Sequence, residues 1–330
     1  MSTILKSFAV CVVLLGAWHV LVNRLPTKYR VGGNAGSQHE QNVIRGETFA
    51  YAPSNPRVVV VGSSIANRLK DPPRDWFNLS FNGGSAFTGL EMIGRCGKLP
   101  EVVLIETNML LLPADEQQIR ELFTPGVYQA RRRMAFLAET NKPHLVAQRA
   151  LITGEETAAR PKGPVRIASS ASGVNVKDLE ADAAEAVLSR EQFEMLAARR
   201  ADELAHALDS ASLDRIVRDL QRHVAHLEKR GVRVVLFEMP EHAEFGDMPR
   251  PASVRRRLRE AFPESRFWWV VDVDRTTYRT TDFVHLTAAG STSYAEVLKA
   301  HVASQAPAEK PAVPATAAMP ATPAPSARAE

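Results

Sequence analysis

Cysteine is almost missing from this chain, with two among 330 residues. Cys11 lies inside an apolar N-terminal run, so no disulfide to Cys96 is expected, and two cysteines so placed lack the spacing of a metal-ligand set. The thiols exclude no compartment. Aromatic residues are also scarce, at 7%. None interleaves the two densest basic clusters, Arg131-Arg132-Arg133 and Arg255-Arg256-Arg257. Clusters without stacking partners read as solvated helix faces, and the functional alternative is affinity for an anionic glycan or lipid headgroup. A nucleic-acid partner rests on the net charge of +4 and pI near 9.1 alone, and is not expected.

What remains is ordinary for a globular protein, with 45% hydrophobic and 24% charged residues. The length suits one sizeable core with insertions, or two small domains.

The ends depart from that average. Phe8 to Val22 is nearly all apolar, with Lys6 before it and Arg24 after it. It falls a little short of the ~20 residues of a full membrane span, and it also fits the core of a secretory signal. The flank Asn23-Arg24-Leu25-Pro26 carries no small-x-small cleavage site, and no lipidation cysteine follows. The expectation is an uncleaved signal anchor over residues 1–24, single-pass in a bacterial inner membrane, with the bulk of the chain in the periplasm. Arg24, Lys28 and Arg30 on the far side argue against that orientation. A buried helix of a cytosolic protein is the plainer alternative. Residues 25–55 read as a juxtamembrane linker. Residues 305–330 are rich in alanine and proline and read as a disordered tail.

Between the ends, short apolar runs alternate with amphipathic ones. Strands are expected at 57–61, 76–81, 101–107, 232–237 and 268–273. Helices are expected at 64–70, 88–96, 213–227, 251–262 and 287–303. Alternation of this kind predicts a three-layer α/β/α sandwich around a mostly parallel five-stranded sheet, with ligands at the carboxyl ends of its strands. Residues 113–206 interrupt the pattern and read as a helical insertion, either a lid or an inert decoration.

Four strand ends carry chemistry. After the first comes Gly62-Ser63-Ser64, where the bland reading of a serine is a helix N-cap. After the second comes Asn78-Leu79-Ser80-Phe81-Asn82-Gly83-Gly84, whose glycines let a backbone N–H approach a reacting oxygen. Glu106-Thr107-Asn108 follows the third, and Asp282-Phe283-Val284-His285 follows the fifth. A histidine with a carboxylate three residues before it has the parts needed to activate a serine.

In this order the four segments resemble the blocks of the SGNH (GDSL-like) hydrolase superfamily, from about Pro56 to Ser304 apart from the insertion. The resemblance implies a flavodoxin-like fold with Ser64 as nucleophile, His285 and Asp282 as base and orienting acid, and Gly83 and Asn108 as oxyanion donors. It implies no cofactor and no metal. Two blocks depart from the family pattern: Ser63 stands where aspartate is usual, and Glu106 and Met109 flank Asn108 where glycine and aspartate are usual. Anchored members with a degenerate first block look like proteins that add or remove acyl groups on envelope polymers, often beside a membrane-bound O-acyltransferase. The expected function is therefore a serine esterase or O-acyltransferase acting on O-acyl, most simply O-acetyl, groups of a cell-envelope or secreted polysaccharide. The alternatives are a simple carboxylesterase or lipase, and a non-catalytic envelope assembly protein that keeps the fold.

Overall fold

The computed structural model describes residues 2–26, 36–69, 72–97, 99–158, 190–271 and 274–305. It opens with helix α1 (Ser2–Arg24). Within it, Thr3–Arg24 is, among the described residues, the helix long and apolar enough to cross a membrane. At 1.5 Å per residue, α1 is longer than the apolar run alone suggested, because polar residues at both ends continue the helix. Near its C-terminal end, Trp18 Nε1 donates to the carbonyl of Asn141 at 3.2 Å.

The stretch expected to be a linker contains a second helix, α2 (Gln38–Tyr51). Its start is a capping box: the Ser37 hydroxyl accepts from Glu40 N–H, and the Glu40 carboxylate accepts from Ser37 N–H at 2.8 Å. One face of α2 buries Val43, Gly46, Phe49 and Ala50, so the α/β body begins before residue 56. A polar-looking sequence concealed the helix, because its buried stripe is narrow.

The body then alternates: β1 (Val58–Gly62), the single turn α3 (Ser64–Asn67), β2 (Trp76–Ser80), α4 (Ala86–Cys96) and β3 (Val102–Glu106). Among the described residues of the expected insertion, the α-helices α5 (Glu116–Phe123), α6 (Val127–Arg133), α7 (Pro143–Ala158) and α8 (Arg190–Leu204) follow, with short 3-10 turns at Ala135–Leu137 and Glu139–Asn141. The alternation resumes with α9 (Ser210–Lys229), β4 (Arg233–Phe237), α10 (Ala243–Gly246), α11 (Pro249–Ala261), β5 (Trp268–Trp269) and α12 (Ala288–Ser304). All five strands are parallel, in the order β2-β1-β3-β4-β5. The looser middle expected within the insertion lies mostly, and the C-terminal tail almost wholly, outside the described residues.

The strands are mostly apolar because both faces of the sheet are covered, the exceptions being Asn78 and Ser80 in β2, Glu106 in β3 and Arg233 in β4. Val59, Val61, Val103, Ile105, Val234 and Leu236 enter one hydrophobic cluster with side chains of α2, α4, α5, α9 and α11. Val58, Val60, Val102, Leu104, Val235 and Phe237 enter the other, with Tyr294, Leu298 and Val302 of α12. Each fully buried valine or leucine here contributes about 1.5–3 kcal/mol. Strand order reverses direction at β1, so the carboxyl ends of β1 and β3 form the crevice where such sheets hold ligands.

Candidate active site

At the end of β1 the chain turns sharply into α3, and two adjacent serines take different tasks. Ser63 is the N-cap: its hydroxyl accepts from Ile65 N–H at 3.1 Å. The capping role that made a serine here unremarkable thus falls on Ser63, which frees the Ser64 hydroxyl for other work. The short helix brings little dipole to Ser64, since α3 is one turn rather than the expected two.

Glu106, the last residue of β3, holds this turn in place. Its carboxylate accepts from Ser63 N–H at 2.6 Å and from the Ser63 hydroxyl at 2.8 Å. Burial pushes its pKa up, while bonds from Ser63 and from the backbone of Ala66 and Met109 oppose that rise. Gly62 makes the arrangement possible, because a Cβ there would stand 2.5 Å from Glu106 Oε2 and 2.7 Å from Ala66 Cβ. The carboxylate beside Ser63 comes from the neighbouring strand. Sequence reasoning noted Glu106 only as a departure; the available signal was a lone acid closing a run of buried apolar residues.

Ser64 Oγ lies 3.0 Å from His285 Nε2, and His285 Nδ1 lies 2.7 Å from Asp282 Oδ2. Asp282 also accepts the His285 backbone N–H at 2.8 Å. Burial alone would raise the Asp282 pKa, but the side-chain and backbone bonds from His285 overcome it and hold the group at about 2. An ionised carboxylate only accepts, so Nδ1 carries the imidazole proton and Nε2 turns its lone pair to Ser64.

The four-residue block is folded tightly around Phe283, whose φ of 70° is the one positive value on a described non-glycine residue. Such a backbone costs on the order of 1–3 kcal/mol unless its surroundings enforce it. The enforcement is visible: Phe283 is buried, its carbonyl accepts from His242 N–H at 3.0 Å, and its ring meets Phe245 edge-on at 5.1 Å. Leu204 of α8 completes that cluster, with Leu196 and Ala201 packed against it. The returning end of the insertion therefore supports the acid–histidine block.

Gly83 sits beyond β2 with φ of 67°, a conformation that favours glycine. The loop before it is pinned by α2: Asn42 Oδ1 accepts from Asn82 N–H at 3.1 Å, and Asn42 Nδ2 donates to the Asn82 carbonyl at 2.8 Å. Asn82 Oδ1 in turn accepts from Asn67 at 2.6 Å. Asn82 Nδ2 has no acceptor among the described residues.

Asn108 does not join this group. Its amide is closed on the backbone of Met239, accepting from N–H at 2.8 Å and donating to the carbonyl at 3.0 Å. It faces a separate recess with Thr107, Glu238 and Glu241. Asn108, expected as an oxyanion donor, is thus held by the Met239 backbone, and the asparagine that lines the cleft of Ser64 and Gly83 is Asn82, whose signal was adjacency to the glycine itself.

These side chains open on a cleft of about 740 Å³. Gln38, Gln41 and Arg45 of α2 line it at helical spacing. Ser64, Asn67 and Arg68 come from the end of β1, Asn82 and Gly83 from the end of β2, and His285, Leu286 and Ala288 from the start of α12. None of the described residues of 113–206 lines it.

The two basic clusters noted in the sequence are partly spent in ion pairs. Arg131 meets Glu47 at 2.9 Å, Arg255 bonds Glu238 and Asp247, and Arg257 bonds Asp214 at 2.8 Å. No family model matches the chain, and no curated protein matches it either.

Proposed function

We propose that the chain is a membrane-anchored serine esterase or O-acyltransferase of the SGNH type, a three-layer α/β/α domain acting in the periplasm. Its substrate in this reading is an O-acylated, most simply O-acetylated, cell-envelope or secreted polysaccharide. A membrane-bound O-acyltransferase is the partner that would supply acyl groups. The observation that carries the reading is the hydrogen-bonded series Ser64–His285–Asp282, open to a cleft wide enough for sugar units. The lining favours a glycan over a lipid ester, since among the described residues Leu286 and Ala288 are its apolar side chains, beside amides, arginines and the Ser64 hydroxyl.

The chemistry follows from the groups present. His285 Nε2 takes the Ser64 proton as Oγ attacks an ester carbonyl, and the Asp282 carboxylate stabilises the imidazolium that forms. The carbonyl oxygen becomes an oxyanion, met by the N–H groups of Ser64 and Gly83 and by Asn82 Nδ2. Collapse breaks the bond to the alcohol oxygen, which leaves with the proton from His285, and the acyl group stays on Ser64. Water then regenerates the serine in an esterase, and a sugar hydroxyl does so in a transferase.

The test is nitrophenol release from p-nitrophenyl acetate by wild type and Ser64→Ala. Wild type should exceed the variant by at least a hundredfold. Equal rates would remove the enzymatic reading and leave the non-catalytic assembly role.

A further inference from the structure

The cleft contains two cations with no carboxylate within 4 Å among the described residues. Arg45 is half-buried on α2, and its one recorded hydrogen bond runs to the carbonyl of Asn78 at 3.3 Å. Arg68, also half-buried, has one bond to the Thr281 hydroxyl at 3.4 Å. Neither has an acidic partner within 4 Å among the described residues, and yet both line the same cleft as Ser64 and His285. Four other half-buried arginines, Arg131, Arg200, Arg255 and Arg275, each reach a carboxylate; Arg45 and Arg68 differ from them in lining the cleft of Ser64 and His285 without one.

A guanidinium offers five N–H donors in a planar fork. One weak bond each leaves most of those donors for the cleft. Holding an unpaired cation away from water is unfavourable, and burial lowers the Arg45 pKa to about 10, still well above neutrality. A site that keeps such a charge is preorganised for an anion that arrives with the ligand. Around the two arginines, the side-chain amides of Gln38, Asn67 and Asn82 can donate to and accept from hydroxyls.

We propose that Arg45 and Arg68 form a subsite for an oxyacid group, so that the ligand of this cleft is an acidic sugar unit bearing a carboxylate or a phosphate. This rests on the acyl-chemistry reading for the identity of the reaction but not for the binding itself. In acyl transfer or removal, the anion would anchor the sugar while its O-acyl or hydroxyl group meets Ser64.

Binding is therefore measured on the full chain carrying Ser64→Ala, by calorimetry, with trigalacturonate, glucose 1-phosphate and the uncharged maltotriose. At least one acidic probe should bind ten times or more tighter than maltotriose, and which one binds tells carboxylate from phosphate. Arg45→Gln and Arg68→Gln should each weaken that probe at least tenfold, with Arg45→Lys falling between, and added salt should weaken it further. If Arg45→Gln does not fold, as judged by thermal unfolding, Arg68→Gln and the salt series carry the same test. Binding indifferent to charge, or to these substitutions, or absent for both acids, would overturn the subsite. Nitrophenol release reports separately on Ser64, so failure of one reading is distinguishable from failure of the other.

Discussion

At Glu106 the chain places an ionisable group fully out of water, one strand away from the turn that presents Ser64. Burial raises its pKa, and the protein keeps it because its oxygens satisfy the Ser63 N–H and hydroxyl. Replacing it by alanine would strand those donors, at about 1–3 kcal/mol for a buried unsatisfied group, partly offset by loss of the buried carboxyl itself. Glu106→Ala should lower the urea midpoint and cut nitrophenyl acetate turnover at least tenfold, whereas Glu106→Gln, which keeps an acceptor, should retain most of the stability. Equal turnover in the alanine variant would show that the turn holds without it. At this scale the sequence exposed Ser64, Gly83, Asp282 and His285, because each sits at a strand end in a short-range pattern. Arg45 stayed hidden, since its place at the cleft comes from neighbours far along the chain, whereas Asn82 was marked only by standing next to Gly83. The backbone partner of Asn108, Met239, was equally illegible, lying 131 residues away.

Helix α2 shows how an element escapes a reading by composition. The Ser37-x-x-Glu40 capping box was legible, and the stripe Val43, Gly46, Phe49, Ala50 has helical spacing, but the polar Gln38, Gln41 and Arg45 dominate the average. Those polar residues are the face that lines the cleft. The same helix carries Glu47, whose pKa burial raises to about 7 against the pull of Glu139 N–H and Arg131. A carboxyl raised in the folded state gives stability that is complete below its unfolded pKa and is lost as pH rises through the folded value. Here that window runs from the unfolded carboxyl range to about pH 7. At about 1.4 kcal/mol per unit, the loss is on the order of 3–4 kcal/mol. Urea denaturation across this window should show wild type losing that amount relative to Glu47→Gln. Parallel stability curves for the two proteins would contradict the assignment.

Over the whole molecule, a sheet with every strand parallel gathers all its carboxyl ends along one edge. That is why residues separated by 221 positions, Ser64 and His285, lie within hydrogen-bond distance. Buried β-branched runs made β1, β3 and β4 readable close to their observed bounds, and the aromatic pair Trp76-Phe77 did so for β2. The fifth shrank to Trp268–Trp269 because it is an edge strand held by two residue pairs with β4. The insertion was readable as helical, but its packing of Leu204 on Phe245 and Phe283, behind the acid–histidine block, depends on tertiary contacts that no local pattern encodes. The central claim is that this convergence makes Ser64 a nucleophile. Its most direct measurement is intact-mass and peptide mass spectrometry after exposure of the full chain to a fluorophosphonate. One covalent adduct on Ser64, absent in Ser64→Ala and strongly slowed in His285→Ala, is the expected result. An unlabelled Ser64, or labelling that proceeds equally without His285, would contradict it.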